Sequence, residues 1–343
     1  MSDLTFIPFY ERGPARPFGL IGKVLVAAAL GLTFLLPHAI AVGDKMLTDW
    51  SWLLAALIMT AMLSLYYATD TLRKLLPGMG LRLRANEIDR ANDDDRDEVF
   101  MRPLRWWLST GNFILAGIVV GLINAAVGIE LGIPNPGYYT TLFGFFLAGF
   151  VCGMATLGIV GVTIAVAQFA RAADESFDYT APDGCGGVQF IGEGLIVFSS
   201  VTLVVGVMIS VYIYMFPWAH HGPRIVFLQW IWIGLPYALS LVVLLWPAIP
   251  LNDALRRYKL GEEDKQARLV AAIRRKLAAN PADGAKKDLR DDYAFEQAVR
   301  RELHAMGTWP HGISANLRYL GIFAANALAS ASTAVSLYHS THP

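Results

Sequence analysis

The sequence predicts an all-α bundle that crosses a membrane several times, on three observations. The chain is 55% hydrophobic and only 16% charged, whereas soluble domains carry about 25% charged residues. The charges are segregated, so long stretches carry none. Six stretches reach the roughly 20 mainly apolar residues that a helix needs to cross a bilayer.

These spans are expected at about 20–43, 51–69, 107–130, 139–170, 195–217 and 226–249. The first follows Arg12 and Arg16, contains Lys23 and ends in "HAIAVG". That pattern resembles a secretory leader, and it is read here as an anchor that stays. The fourth is long enough to tilt or to continue past the bilayer. A seventh apolar stretch, 319–338, is rich in Ala and Ser and is expected to lie on the membrane or pack against the other helices. The resulting division is a transmembrane domain over 1–250, a helical hairpin over 251–315 and an apolar helix with tail over 316–343.

Orientation follows from the basic residues. All but Lys45 and Arg224 of the 28 Lys and Arg fall in one set of alternate loops. Basic loops stay cytoplasmic, so the N-terminus and the 251–315 region are expected inside. Aromatics at both sets of span ends (Trp50, Trp52, Tyr138, Trp218; Tyr66, Trp106, Trp246) fit the two interfaces.

Between the fourth and fifth spans runs "PDGCGGVQFIGEG", residues 182–194. It lacks the lysine and hydroxyl of a nucleotide P-loop, and Gln189 stands where a dinucleotide fingerprint needs its third glycine. Asp183 and Glu193 would repel phosphate. Two readings remain. In the first the stretch is a rigid elbow at the membrane edge: Pro182 and Asp183 start a turn, Gly184 takes positive φ, and Gly186 and Gly187 allow close backbone approach. In the second the elbow lines a pore or gate, with Asp183 or Glu193 facing water.

Other motifs are weaker. His220 and His221 are adjacent, not at a chelating helical spacing, and Asp93, Asp94 and Asp95 lack the alternation of a calcium loop. His38 is expected as a satisfied histidine near the outer interface. The two cysteines, Cys152 and Cys185, make neither a disulfide framework nor a zinc quartet. Lys23 and Glu130 sit near span ends, where long side chains reach the interface. Within the spans the sequence offers only Asn112, Asn124, Gln168, Gln229 and hydroxyls, which argues against a proton-coupled transporter. The stripes Gly117-x-x-x-Gly121 and Gly149-x-x-x-Gly153 suit close helix packing, within one chain or between copies. Pro236 is expected to kink the sixth span, as a gate or a substrate site would use.

The region 251–315 holds thirteen Lys and Arg against ten Asp and Glu. One helix is expected over 262–279 with Leu269, Ile273 and Leu277 inward. After "NPADG" a second is expected over 286–306 with Leu289, Tyr293, Val299, Leu303 and Met306 inward. Arg274, Arg275, Lys276, Arg300 and Arg301 are its candidate residues for an anionic, nucleotide-type ligand. A solvated surface beside an anionic membrane is the plainer reading.

From residue 170 onward, about half the chain, the sequence resembles a group of bacterial inner-membrane proteins. Their shared pieces are a P-D-x-x-G-G-[LV] loop between two membrane helices, a basic hairpin, a W-P dipeptide and a last apolar stretch. Here these are Pro182, Asp183, Gly186, Gly187 and Val188; the helices within 251–306; Trp309 and Pro310; and 319–338. His311 stands where the group carries an aromatic. The resemblance implies a multi-pass protein of the bacterial inner membrane, by analogy a membrane effector of an anti-phage system.

No nucleophile–base pair, metal cluster or cofactor loop is evident, so neither an enzyme nor a cofactor is expected. The expected function is an oligomeric ion channel or pore-like effector gated from the cytoplasm. The alternatives are a secondary transporter with its substrate near Pro236, or a scaffold. The expected partners are the lipid bilayer, further copies of the chain, and a cytoplasmic protein or nucleotide-type ligand at the hairpin.

Overall fold

The computed structural model describes residues 19–48, 50–85, 106–107, 109–133, 136–172, 177–215, 223–279, 283–310 and a few positions between 320 and 328. His220, His221, Asp93, Asp94 and Asp95 lie outside the described residues, as does most of 319–338. Among the described residues the fold is all helical. The elements are α1 (Gly19–Val42), α2 (Ser51–Ala85), α3 (Thr110–Glu130), α4 (Tyr138–Ala172), α5 (Gln189–Tyr214), α6 (Pro223–Ala278) and α7 (Asp283–Ala305). A 3-10 turn, Gly43–Leu47, links α1 to α2. Six helices are long and apolar enough to cross a membrane, so the chain is a multi-pass membrane protein.

Consecutive helices run antiparallel, and small residues set where they meet. Gly117 and Gly121 of α3 sit against Phe150 and Phe146 of α4, while Gly149 of α4 sits against Val120 and Asn124 of α3. Gly153 faces the Ala116 carbonyl. The two glycine stripes therefore face each other within one chain and bring the backbones together. Ser109 caps α3, its hydroxyl accepting from the Asn112 N–H, which satisfies one of the free donors of the first turn. On the other side, Gly206 of α5 receives Pro236 of α6, and Ser199 and Ser240 share a buried hydrogen bond at 2.7 Å. Gly194 and Phe190 of α5 meet Leu75 and Gly78 of α2.

α2 is central and α1 peripheral: 56% of the apolar window of α2 is buried against 22% of that of α1. The core runs from Tyr66, Leu76 and Met79 of α2 through Phe169 of α4 to Ile191 and Leu195 of α5.

Several boundaries differ from the sequence expectation. α2 continues to Ala85, so the loop that follows begins about four turns later than expected from the end of the apolar run. The basic residues in that extension end the apolar signal without ending the helix, because Arg and Lys are good helix formers. More consequential is α6. It runs 56 residues without interruption through Pro236, Pro247 and Pro250, about 84 Å at 1.5 Å per residue. The sixth span and the first hairpin helix are one rod, and the helix is continuous at residue 250. Pro236 does not break it, because the proline packs into the space above Gly206 and neighbouring helices support the backbone there.

Within the hairpin, Ile273 and Leu277 are half-buried, as expected of the inward face, while Leu269 is 48% exposed and the neighbouring Val270 is buried in its place. The inward face of α7 is as the pattern suggests, with Val299, Leu303 and Met306 buried. Lys23, near the start of α1, is paired with a residue of the next helix. Its ammonium donates to both oxygens of Asp70 at 2.7 Å and stands 5.6 Å over the Tyr66 ring, tying α1 to α2.

Candidate functional site

Two features stand out: a cavity within the bundle and a clasp at the elbow. The cavity lies between α2, α3, α4, α5 and α6, in the half of the bundle away from the elbow. Its volume is about 210 Å³. The wall is mostly Leu, Val, Ile, Ala and Phe, and among the described residues no Asp, Glu, Lys or Arg lines it. Thr156 and Leu235 line it and are themselves exposed, so it opens sideways, toward lipid in a bilayer.

A small polar group interrupts this wall. Asn124 of α3 donates to the Phe145 carbonyl of α4 at 2.6 Å. Its own carbonyl oxygen accepts the indole N–H of Trp232 of α6 at 3.1 Å. One buried asparagine thus joins three helices across the cavity. Gln229 lies one turn before Trp232 and lines the same wall, as does Pro236 one turn later. The positions 229, 232 and 236 form one helical stripe. Thr156 and Thr202 also line the cavity, but their hydroxyls bond back to Cys152 and Phe198 of their own helices.

Sequence reading singled out Asn124 and Gln229 as polar groups within spans and Pro236 as a kink, without joining them. It gave Trp232 and Cys152 no role, although both line the cavity. The signal that could have found them is the Gln–Trp–Pro spacing on α6, read against the single asparagine at the middle of α3.

The elbow is built around Asp183. Its Oδ1 accepts the N–H of Cys185 and of Gly187, each at 2.9 Å, and its Oδ2 accepts the N–H of Gln189 at 3.1 Å. Val188, at the cap position of α5, has no acceptor to offer. The carboxylate five residues earlier does that work, with the favourable sign for a helix N-terminus. Gly184, Gly186 and Gly187 all have positive φ, at 63°, 68° and 80°, which residues with a Cβ adopt only with strain. Gly186 is also pressed from outside: a Cβ there would lie 2.8 Å from the Met306 methyl and 3.0 Å from Leu255. Val188 and Ile191 are wholly buried in protein rather than dipping into lipid. Glu193 is exposed and accepts from the Gln189 amide at 3.0 Å.

The end of α7 closes on this elbow. The Gly307 N–H donates to the Gly184 carbonyl at 2.7 Å. From α6, Lys259 donates to the carbonyls of His304 and Met306 at 2.9 and 2.7 Å, and Asn252 donates to that of Thr308 at 2.9 Å. A cation on the last carbonyls of α7 satisfies groups that the helix leaves open. Cys185 is buried beside this contact, and burial, with the nearby Asp183 charge, pushes its thiol pKa up.

The basic residues of the hairpin are partly engaged. The Arg274 guanidinium donates twice to the Tyr293 hydroxyl, at 2.7 and 3.1 Å, and these bonds lower the pKa of that phenol. Arg301 donates to the Gln297 carbonyl of its own helix. Arg275, Lys276 and Arg301 are exposed, and Arg300 is half-buried. Among the described residues no group of three or more His, Cys, Asp and Glu is placed to hold a metal ion.

No family model, curated protein or solved structure matches the chain.

Proposed function

We propose that this protein is an intramembrane binding protein of the carrier class, which holds an apolar small molecule in the bundle cavity. The observation that carries the reading is the cavity itself, about 210 Å³ with an uncharged, largely apolar wall. An apolar cavity of about 150 Å³ is enough to bind benzene. Here the opening toward lipid gives an apolar molecule a way in. The position of Pro236 in the wall agrees with a substrate site beside that proline, though on an unbroken helix.

The partition of Lys and Arg supports a cytoplasmic N-terminus and hairpin, and the resemblance supports a bacterial inner membrane. In that orientation the cavity lies in the outer half of the bilayer and the elbow on the cytoplasmic side. The test is to purify the protein, extract it with organic solvent and identify what leaves with it. An apolar molecule at near one per chain, lost when Ala61→Phe fills the cavity, is the expected result. Empty protein from both preparations, and no uptake of an added apolar probe, would sink the reading.

A second reading is favoured by one observation. The elbow leads straight into α5, and the end of α7 is bonded to it through Gly307 and Gly184. A protein or anionic ligand on the hairpin would therefore act on a membrane helix directly. This supports a cytoplasmically gated, oligomeric, pore-like effector of an anti-phage defence system, in which the path lies between copies. Conductance steps in a planar bilayer, together with a multimeric mass in solution, are its expected signature. The glycine stripes do not argue for it, since both are used within one chain.

A further inference from the structure

The cavity also carries information about the chemistry of its occupant. We infer that it takes a neutral, lipid-class molecule with a long apolar body and a single uncharged hydrogen-bonding group, a hydroxyl or carbonyl, which pairs with the Gln229 side-chain amide. The inference rests on the proposed binding role of the cavity and names what fills it.

Gln229 is 7% exposed and lines the cavity. Its amide has two donors and a carbonyl acceptor, and it has no hydrogen-bond partner among the described residues. It is not one of the sealed, unpartnered side chains among the described residues, Gln168, Gln266 and Glu296, so its amide keeps some accessible surface, on a residue that lines the cavity. A buried primary amide left open to an apolar space is costly unless a ligand group meets it.

The other polar groups offer less than a whole amide. Asn124 spends one N–H on Phe145 and its oxygen on Trp232, Trp232 has only the one N–H, and Ser64 and Tyr212, which also line the wall, each carry a single hydroxyl. Asn124 keeps one N–H, enough to assist a carbonyl already held by Gln229. Charge is disfavoured on the ligand side, because among the described residues no ionised side chain lines the wall to pair with it. An apolar occupant with no polar group leaves Gln229 unmet. A single neutral group on an apolar chain fits all three conditions.

The experiment compares matched probes on the full chain in lipid nanodiscs: 1-bromodecane, 10-bromodecan-1-ol and 10-bromodecanoate, each titrated as its mole fraction in the lipid. Bromine quenches nearby indole fluorescence, so the readout is quenching of wild type minus that of Trp232→Phe. The bromoalcohol is expected to bind about tenfold more tightly than the bromoalkane, the scale of one hydrogen bond. Gln229→Leu should erase that difference while keeping alkane binding. Gln229→Asn, a conservative change that keeps an amide, should retain part of it. The bromocarboxylate, ionised at pH 8, should bind least. Equal binding of alcohol and alkane to wild type, or an unchanged preference in Gln229→Leu, overturns the inference while the cavity remains an apolar binding site. No Trp232-dependent quenching by any probe removes the binding reading itself.

Discussion

Asp183 is the residue through which three backbone amides are held together. Sequence reading had it start a turn with Pro182, and set it beside Glu193 as an anion that would repel phosphate or face water. The structure separates the two. Glu193 is exposed, while Asp183 accepts from Cys185, Gly187 and Gln189 and so fixes both the turn and the first donor of α5. Hydrogen bonds to a charged acceptor contribute about 1.5–3 kcal/mol each when buried, and less where water competes. Asp183→Ala is therefore expected to lower stability by about 2–4 kcal/mol, read as an earlier loss of helicity on heating in detergent. Asp183→Asn keeps one acceptor oxygen and should lose about half as much. If both variants melt with wild type, the carboxylate does not hold the elbow. The signal for this role was present in "PDG" before an apolar helix, since Asp turns its side chain onto the following backbone. The span of six residues to Gln189 hid it, because no local motif reaches that far.

At the scale of the element, the α3–α4 pair shows how small residues place a functional group. Gly149 leaves room for Asn124, and a Cβ at Gly149 would lie 2.7 Å from both the Asn124 Cβ and the Val120 carbonyl. Gly149→Val is expected to push the helices apart and to cost about 1–3 kcal/mol, the range for overpacking. It should also break the Asn124–Trp232 bond, seen as a change in Trp232 emission. Gly158→Ala provides the contrast. There the nearest atoms, on Phe113, are 3.8 Å away, so the gain in helix propensity, up to about 1 kcal/mol, should appear as neutral to slightly higher stability. A Gly149→Val protein as stable as Gly158→Ala would mean that α3 and α4 are not packed at this glycine. The glycine stripes were plain in the sequence. Whether they join one chain to itself or to another copy was not, because a flat helix face is the same in either case.

For the whole molecule, the consequence of the 56-residue α6 is that cavity and hairpin share one rod. Trp232 and Gln229 stand near its start, and Asn252 and Lys259 stand further along, where they hold the end of α7. The clasp and the elbow should open as one unit, because Gly307 and Gly184 share a hydrogen bond. In the double variant Asn252→Ala/Lys259→Ala, amide exchange is expected to rise several-fold at residues 303–308 and at 184–188 together, since about 1 kcal/mol per lost bond is a factor of roughly five. Faster exchange at 303–308 with an unchanged elbow would show that the hairpin end is not coupled to α5.

The sequence by itself determined the class of fold, six membrane-crossing helices, the hairpin and the glycine elbow. These follow from composition and periodicity, which depend on the solvent each segment meets. It also displayed the few polar residues inside the spans. Only the tertiary structure decided what they do. Asn124, Trp232 and Gln229 come from helices about a hundred residues apart, and their meeting depends on which faces α3, α4 and α6 turn to one another. The union of span and hairpin in one helix was decided there too, since three prolines and a change from apolar to charged residues would each suggest an end. Packing, not propensity, keeps the helix going, and packing is not written in any local stretch of the chain.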